Sequence, residues 1–396
     1  MLSFIKKHGD ELIFALALAM LVTVVIFSVS RKLGESDVIK IVFTQWWQGD
    51  LSDNSLQNLI AEFENQHEGI RIILNYTSFE DIRFELFNYD RSDSTLHTDV
   101  IALDPIWVPE LLARGIIKSA DAPILSFINV LYYNIDILRK AGFTRPPATR
   151  SEFLTFARAV SADGIYALTL SLGSDDTGAR GVFDTVYPWI WASGAPLLQE
   201  GMPVLTSPQV VATLDFLSTL NAEGLIAPAS FTTSTSEVIE DFITGKTAFM
   251  VASSKHIPHI HARMGSDAFS ITAVPPPSTP PRQPFFAASG WGAGVYAETV
   301  YPREAGMFAA FLSEKGAGLL PGADWALLES TAEEPLYSKL WETALSGEVA
   351  RDFSGISAEG ELETAFALGL AELFTTEKSP AETAGVIQQR WAEVLE

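Results

Sequence analysis

The chain has 396 residues, of which 47% are hydrophobic and 19% are charged, so it is globular and long enough for two α/β lobes. Its formal net charge of −23 repels phosphate backbones and argues against a nucleic-acid partner. The sequence contains no cysteine, which excludes disulfides, thiolate catalysis, cysteine zinc sites and a lipid anchor attached through cysteine.

An apolar segment near the N-terminus predicts a membrane anchor. Leu12–Val29 is an almost wholly apolar run of 18 residues with basic residues on both sides. The core of a signal peptide usually has about 7–15 apolar residues, whereas a spanning helix needs roughly 17–25. The length therefore favours a retained transmembrane helix within residues 1–35, and a long signal peptide cleaved after Ser30 is the alternative. The flanking charges leave the orientation open.

Strand and helix patterns alternate after this segment. Val38–Phe43 is β-branched and apolar, which predicts a buried strand, and the apolar residues of 56–63 recur at the spacing of one helix face. The next elements are a strand at Ile70–Leu74, a helix capped by Ser78, a strand at Asp99–Leu103 and a helix that ends at Gly115. This order predicts an open, mostly parallel α/β sheet with right-handed crossovers.

The rest of the chain continues as a mixture of strands and helices, without an internal repeat of fixed period. Two further strands are predicted at Val130–Tyr133 and Thr247–Ala252. The predicted helices are Glu152–Val160, Val210–Leu220, Val238–Phe242, Phe308–Leu312, Leu336–Val349, Leu362–Leu373 and Thr383–Leu395.

Four stretches of sequence carry a family resemblance. They are Leu59–Phe63 with Gly69-Ile70, Thr98–Asp104 with Leu111-Leu112 and Gly115-Ile116, Leu131–Asn134 with Gly142 and Pro146–Thr149, and Phe242 with Gly245–Ala248 and Met250. Taken in this order and spacing, they resemble the extracellular solute-binding proteins of ABC importers, family 1, of the maltodextrin- or sugar-binding type. The resemblance covers residues 38–396.

The resemblance implies a two-lobed periplasmic-binding-protein fold of type II, in which a hinge joins two α/β lobes and the ligand binds between them. Lobe 1 is expected to comprise residues 36–125 and 288–326, and lobe 2 residues 126–287 and 327–396. The crossings between lobes are expected near Leu125-Ser126, Ala287-Ala288 and Leu327. This chain departs from the family pattern at residues 116–122, where a longer excursion is usual, so part of one cleft rim is expected to be missing.

Polar and aromatic residues follow the first predicted strand. Trp46, Trp47 and Gln48 come at its carboxyl end, where open α/β sheets place their ligands. Sugars present apolar C–H faces that stack on indoles, and hydroxyl groups that need hydrogen-bond partners. Adjacent side chains of a strand alternate in direction, so one of the two indoles is expected in the core.

Asp104 and Trp107 follow the third predicted strand, again at the carboxyl edge of the sheet. The resemblance implies that a carboxylate at this place accepts sugar hydroxyls. The alternative is that Asp104 caps the helix after it, which the adjacent Pro105 favours. One side chain could fill both roles.

Three further aromatic residues are candidates for the cleft. Tyr187, Trp189 and Trp191 form a run that is typical of a core, yet the resemblance implies a cleft aromatic in this part of lobe 2. We therefore expect one of the three, and chiefly Tyr187 or Trp189, to contact ligand. Trp291 lies beside the second expected crossing, among glycines that let the backbone approach a ligand.

The segment 255–261 contains three histidines, which could chelate zinc or nickel. Pro258 interrupts the spacing that would place two of them on one helix face, so we predict an ordinary helix start or cleft rim and no metal or cofactor. The family often carries an aromatic at about Lys255, which is absent here.

The prediction is a membrane-tethered, extracytoplasmic binding protein that captures a small polar ligand, a mono- or oligosaccharide, and delivers it to the permease subunits of an ABC importer. Residues 12–29 would hold it in the cytoplasmic membrane. We predict no enzyme activity, because the common nucleophile, phosphate-loop, zinc-protease and dinucleotide motifs do not occur. The alternatives are an anchored sensor or scaffold with the same fold, and a hydrolase acting on carbohydrate through two carboxylates.

Overall fold

A computed structural model describes residues 38–51, 54–88, 97–162, 164–173, 181–278, 285–320, 335–350 and 358–396. The predicted anchor Leu12–Val29 and the expected third crossing near Leu327 lie outside these residues. Within the described ranges, no helix combines the length and apolar character that crossing a membrane requires.

The first half of the chain alternates strands and helices up to one very long strand. Its elements are β1 (Ile39–Gln45), α1 (Ser55–Gln66), β2 (Ile70–Tyr76), α2 (Phe79–Phe87), β3 (Val100–Leu103), α3 (Val108–Ala113), β4 (Ile117–Asn134), α4 (Ile135–Lys140), α5 (Arg150–Val160), β5 (Tyr166–Leu168), α6 (Val182–Thr185) and α7 (Tyr187–Trp191).

The second half is richer in helix and contains a second long strand. Its elements are β6 (Leu198–Gln199), β7 (Met202–Pro203), α8 (Pro208–Ala222), α9 (Thr235–Ile243), β8 (Thr247–Ser253), α10 (Ile257–Met264), β9 (Phe269–Thr272), β10 (Phe285–Tyr296), α11 (Pro302–Lys315), α12 (Pro335–Ser346), β11 (Glu348–Ala350), α13 (Glu359–Thr375) and α14 (Pro380–Leu395).

Several local signals in the sequence act as predicted. The predicted cap Ser78 accepts a hydrogen bond from the Asp81 amide through its hydroxyl at 3.0 Å. Thr149 caps α5 in the same way and accepts one from the Glu152 amide at 3.2 Å. Each bond satisfies an amide that the first helical turn leaves without a partner. Gly115 follows α3 with a φ of 67°, a conformation that glycine adopts without steric cost. These residues fix where α2 and α5 begin and where α3 ends.

The main sheet is continuous across the molecule. Its strands run in the order β2-β1-β3-β10-β4-β8-β5, with β9 also paired to β4 and β11 to β10. Pairing is parallel among β1, β2 and β3, as the sequence predicts. It is antiparallel where β10 pairs with β3 and β4 and where β4 pairs with β8 and β9, whereas β10 pairs in parallel with β11. The sheet is therefore mixed and not mostly parallel, because two strands cross it in opposite directions.

One hydrophobic core lies on one side of the crossing. It gathers buried residues from Ile41 to Phe127 and from Trp291 to Leu320, and we call the part of the chain built around it lobe 1. Two further cores lie beyond the crossing and together define lobe 2, with buried residues between Ile128 and Trp391.

The two cores of lobe 2 cover opposite faces of one sheet. Leu131 and Phe249 belong to one core, whereas their strand neighbours Tyr132 and Met250 belong to the other. This alternation explains why β8 is buried along its whole length, because side chains on both faces of the strand are covered by helices. The exact boundaries between the lobes stay a prediction.

Candidate functional site

A cavity of about 330 Å³ lies between lobe 1 and lobe 2. Lobe 1 supplies residues that directly follow the carboxyl ends of β1 and β3, together with part of β10. Lobe 2 supplies the segment that directly follows β8, together with the first turns of α9 and α13. The position is the one at which α/β sheets bind ligands, at strand ends that face an opposing wall.

Three of the residues predicted from the sequence line this cavity. Trp46 follows β1 and is 8% exposed, Asp104 follows β3, and Trp291 lies in β10. Asp104 also caps the 3₁₀ turn after it, because its Oδ1 accepts a hydrogen bond from the Ile106 amide at 3.0 Å. The carboxylate thus serves as a cap and still faces the cavity, so the two interpretations of this residue are compatible.

Trp47, Trp107 and Gln48 lie beside the cavity and do not line it. The indole of Trp47 is fully buried and stacks on Trp291, with ring centroids 5.0 Å apart and planes inclined by 6°. Trp107 is buried behind Trp46, at 5.9 Å between centroids. These two indoles fix the orientation of the tryptophans that face the cavity. Gln48 is exposed, and its backbone N–H donates a hydrogen bond to the side-chain Oε1 of Gln45.

Tyr187 and Trp189 lie inside a core of lobe 2 and away from the cavity. Both are fully buried. The Trp189 ring packs 5.0 Å from that of Phe153, and its backbone carbonyl accepts a hydrogen bond from the buried guanidinium of Arg150. Tyr187 packs on Phe366 at 5.1 Å.

The physical reason for this burial is that α7 is apolar on all sides, so packing and not ligand surrounds its rings. The expectation that this aromatic run supplies the cleft aromatic must therefore be corrected. Phe183, four residues before Tyr187, lines the cavity instead.

The sequence prediction missed most of the charged wall. Asp50, Asp184, Lys255, Glu359 and Glu363 all line the cavity. A signal existed for Lys255, because it follows the buried strand β8 just as Trp46 follows β1. Glu359 and Glu363 also gave a signal in the sequence, because they lie one turn apart on the largely apolar face of α13. Both are at least nine-tenths buried. Asp184 lies in a helix too short to show a periodicity.

Lys255 supplies a cation that reaches across the cavity. Its Nζ lies 3.4 Å from Oδ2 of Asp50 in lobe 1. Burial alone lowers the pKa of Lys255, but the charges of Asp50, Asp184 and Asp104 outweigh burial and raise it above the ordinary value. The ammonium therefore stays protonated at physiological pH.

Two carboxylates face the cavity from opposite lobes. The pKa of Asp104 is raised to about 7, chiefly by burial and to a smaller degree by the charge of Asp184, while the Ile106 amide and Lys255 act in the opposite direction. Burial also raises the pKa of Asp184, which accepts a hydrogen bond of 2.6 Å from Asn129 Nδ2. Both groups can accept hydrogen bonds from ligand hydroxyls in a site with reduced access to water.

The histidines of segment 255–261 do not converge. Burial and the neighbouring Lys255 hold the pKa of His256 well below its usual range, so its imidazole is neutral. His259 lies on the exposed side of α10, 3.8 Å from Glu240. Across the described ranges, no three histidine, cysteine or acidic side chains come together as a metal site would need.

Comparison with known proteins places the chain in a family. Residues 49–318 match the family model described as "Bacterial extracellular solute-binding protein". A curated relative from Deinococcus radiodurans, named "Probable ABC transporter-binding protein", is 28% identical over 233 residues, which are 57% of this chain and 54% of the relative. The chain spans about half the length of the curated relatives it matches, or less.

Solved structures show the same fold. The GacH receptor of Streptomyces glaucescens, determined unliganded and with acarbose, superposes with a TM-score of 0.72 at 17% identity, over 90% of this chain and 98% of that one. The maltose-bound MalE3 of T. maritima gives a TM-score of 0.71 at 18% identity, over 90% and 99% of the two chains. The chain belongs to the bacterial extracellular solute-binding protein family, and the two-lobed α/β fold predicted from the sequence is confirmed.

Proposed function

We propose that this protein is an extracytoplasmic, membrane-tethered receptor that captures a mono- or oligosaccharide between its lobes and delivers it to an ABC permease. The observation that carries the proposal is the composition of the cavity wall. Indole and phenyl rings from both lobes stand beside carboxylates that can accept hydroxyl protons. A sugar needs both kinds of surface, because its C–H faces are apolar and its edge is polar.

Capture requires that ligand favours the closed arrangement of the lobes. A ligand shifts a conformational equilibrium only by the difference between its affinities for the two states. Trp46 and Asp104 on lobe 1 and Phe183 and Lys255 on lobe 2 would contact one ligand together only when the walls approach. Closure would then present a defined surface to the permease, and no bond is made or broken.

Ligand screening tests the capture step. We would purify the full-length chain in detergent and follow its thermal unfolding with glucose, maltose, cellobiose, polyols and short peptides. Sugars are expected to raise the melting temperature, since they bind only the folded state. Recovery of intact sugar, checked by chromatography, supports a receptor, and hydrolysed sugar would indicate a glycosidase. Stabilisation by a protein partner and by none of these small molecules would indicate a sensor or scaffold protein with the same fold.

Membrane tethering is a separate part of the proposal and rests on Leu12–Val29. An 18-residue apolar run has roughly the length that the hydrocarbon core of a bilayer demands. Fractionation of cells that express the full-length chain should leave it in the membrane pellet after an alkaline wash. A mature N-terminus at about residue 31 in the soluble extracytoplasmic fraction would show that the segment is a cleaved signal peptide.

A further inference from the structure

The described lining of the cleft carries more negative than positive charge. Five carboxylates line it, those of Asp50, Asp104, Asp184, Glu359 and Glu363, whereas Lys255 is the one lining cation in the described part of the chain. The lining imidazole of His256 is neutral. Lys255 forms its ion pair with Asp50, so its charge is already matched by one carboxylate.

Asp104 and Asp184 form a like-charged pair across the cleft. Asp104 belongs to lobe 1 and Asp184 to lobe 2, and the charge of one disfavours ionisation of the other. Within the described ranges, neither carboxylate forms a direct ion pair, although the charge of Lys255 lowers the pKa of both. Asp104 is nine-tenths buried in a wall of the cavity and accepts a hydrogen bond from the Ile106 amide through Oδ1, whereas no residue that the structure describes donates one to its Oδ2.

The aromatic residues around this pair suit a cation as well as a sugar face. Trp46, Phe127, Phe183 and Trp291 surround the same space. A cation over an aromatic ring is attracted by the negative face of the ring, most strongly where water is excluded. A neutral ligand would leave the facing carboxylates to repel each other as the lobes close, whereas a cation between them would neutralise both walls.

We infer that the cleft selects a ligand that bears a protonated amine, an amino sugar, with Asp104 and Asp184 as its counter-charges. This inference rests on the proposed function and names the substrate class of the same site. Anionic sugars such as uronic acids or sugar phosphates are disfavoured by the same charges.

The test compares disaccharides that share one skeleton. The full-length chain would be titrated calorimetrically, at about pH 7, with the β-1,4 dimer of glucosamine, its di-N-acetyl derivative, cellobiose and spermidine. The glucosamine dimer is expected to bind at least about tenfold more tightly than cellobiose, as one charge-assisted contact provides.

The outcomes separate the inference from the proposed function. Equal or tighter binding of cellobiose overturns the amine inference and leaves the sugar receptor standing. If spermidine binds and none of the three sugars does, the inference of an amine ligand is supported and the proposed sugar receptor is overturned. If none of the four probes binds, both are overturned. Asp104→Asn keeps a capping side chain and should reduce the preference for the amine about tenfold. Asp136→Asn, an exposed change on α4, should leave the preference unaltered.

Discussion

The ammonium of Lys255 in lobe 2 lies 3.4 Å from a carboxylate oxygen of Asp50 in lobe 1, so an ion pair joins the two walls of the cleft. Both side chains are about one-quarter exposed, at 27% and 28%. A pair of this kind contributes on the order of 1 kcal/mol, which is enough to change the ratio of two conformations about fivefold.

We expect Asp50→Asn to favour the open form of the ligand-free protein, because the substitution removes a contact made only when the walls approach. Small-angle scattering should show a larger radius of gyration than that of the unaltered chain. The matched control is Asp241→Asn, which breaks a comparable ion pair with Lys246 at 2.9 Å on one lobe. Identical scattering from the two variants would show that the cross-cleft pair does not bias closure.

Trp46 and Trp189 are expected to respond to substitution in opposite ways. Trp46→Ala removes a ring that lines the cavity. The test ligand is the sugar that gives the unaltered chain its largest rise in melting temperature, and the substitution should weaken its binding by at least about tenfold. Trp189→Phe changes a core ring away from the cavity, and it should cost roughly 1–3 kcal/mol of folding free energy without altering affinity. Calorimetric titration and urea unfolding of both variants decide the matter. A loss of affinity in Trp189→Phe would place α7 in the binding site after all.

The pKa of Asp104, about 7 in the folded protein, predicts a definite dependence of stability on pH. The unfolded chain ionises this group near pH 4, so the folded state holds the proton more tightly between about pH 4 and pH 7. The stabilisation is fully present below pH 4 and is lost as pH rises through 7. Its size is on the order of 4 kcal/mol, because the pKa differs by about three units at about 1.4 kcal/mol each.

Asp104→Asn should remove most of this dependence and make the protein more stable than the unaltered chain at about pH 8. Asparagine retains the cap toward the Ile106 amide, so the comparison isolates the charge. Urea unfolding of both proteins from about pH 5 to pH 8 measures the effect. Parallel stability curves for the two proteins would show that Asp104 ionises normally in the fold, and Asp136→Asn serves as the exposed control.

Replacing Gly290 or Gly306 by alanine is expected to change stability in opposite directions. A methyl group on Gly290 in β10 would overlap the backbone carbonyl of Leu125 in β4, whereas one on Gly306 in α11 would meet nothing within 4 Å. Gly290→Ala should lower stability by roughly 1–3 kcal/mol through displacement of the paired strands. Gly306→Ala should raise stability by about 0.5–1 kcal/mol, as expected in a helix interior. Thermal unfolding of both variants measures the difference, and an unchanged melting temperature for Gly290→Ala would contradict the close approach of β4 and β10.

The sequence predicted the parts of the fold that depend on local order. Strand patterns, helix faces and caps such as Ser78 are set by residues within a few positions of each other, and most of these elements occur where predicted. The predicted helix Leu336–Val349 is an exception, because it ends at Ser346 and Glu348–Ala350 form a strand paired with β10. The resemblance placed crossings in the regions of β4 and β10, but the antiparallel pairing of these two strands was not predicted, because it joins residues 117–128 to residues 288–296, far apart in the chain.

Prediction of the site was limited for a related reason. The rule that ligands bind at strand ends identified Trp46 and Asp104, and the same rule applied to β8 would have identified Lys255. Asp184 and Glu363 reach the cavity through helices of lobe 2, and their position depends on how those helices pack. An aromatic run cannot by itself distinguish a cleft from a core, which is why Tyr187 and Trp189 were assigned to ligand.

The 18-residue strand β4 passes through both lobes and pairs with β10 across the junction, with a register shift nearby between Trp291 and Ala293. Among the described residues, the joint between the lobes therefore includes a two-stranded ribbon, and motion of one lobe against the other must twist this ribbon. A fragment containing one lobe alone would lose strands that complete its sheet and expose bare edges, which invite aggregation. The two lobes should consequently unfold in concert, and exchange of a lobe between relatives would have to carry both strands of the ribbon along.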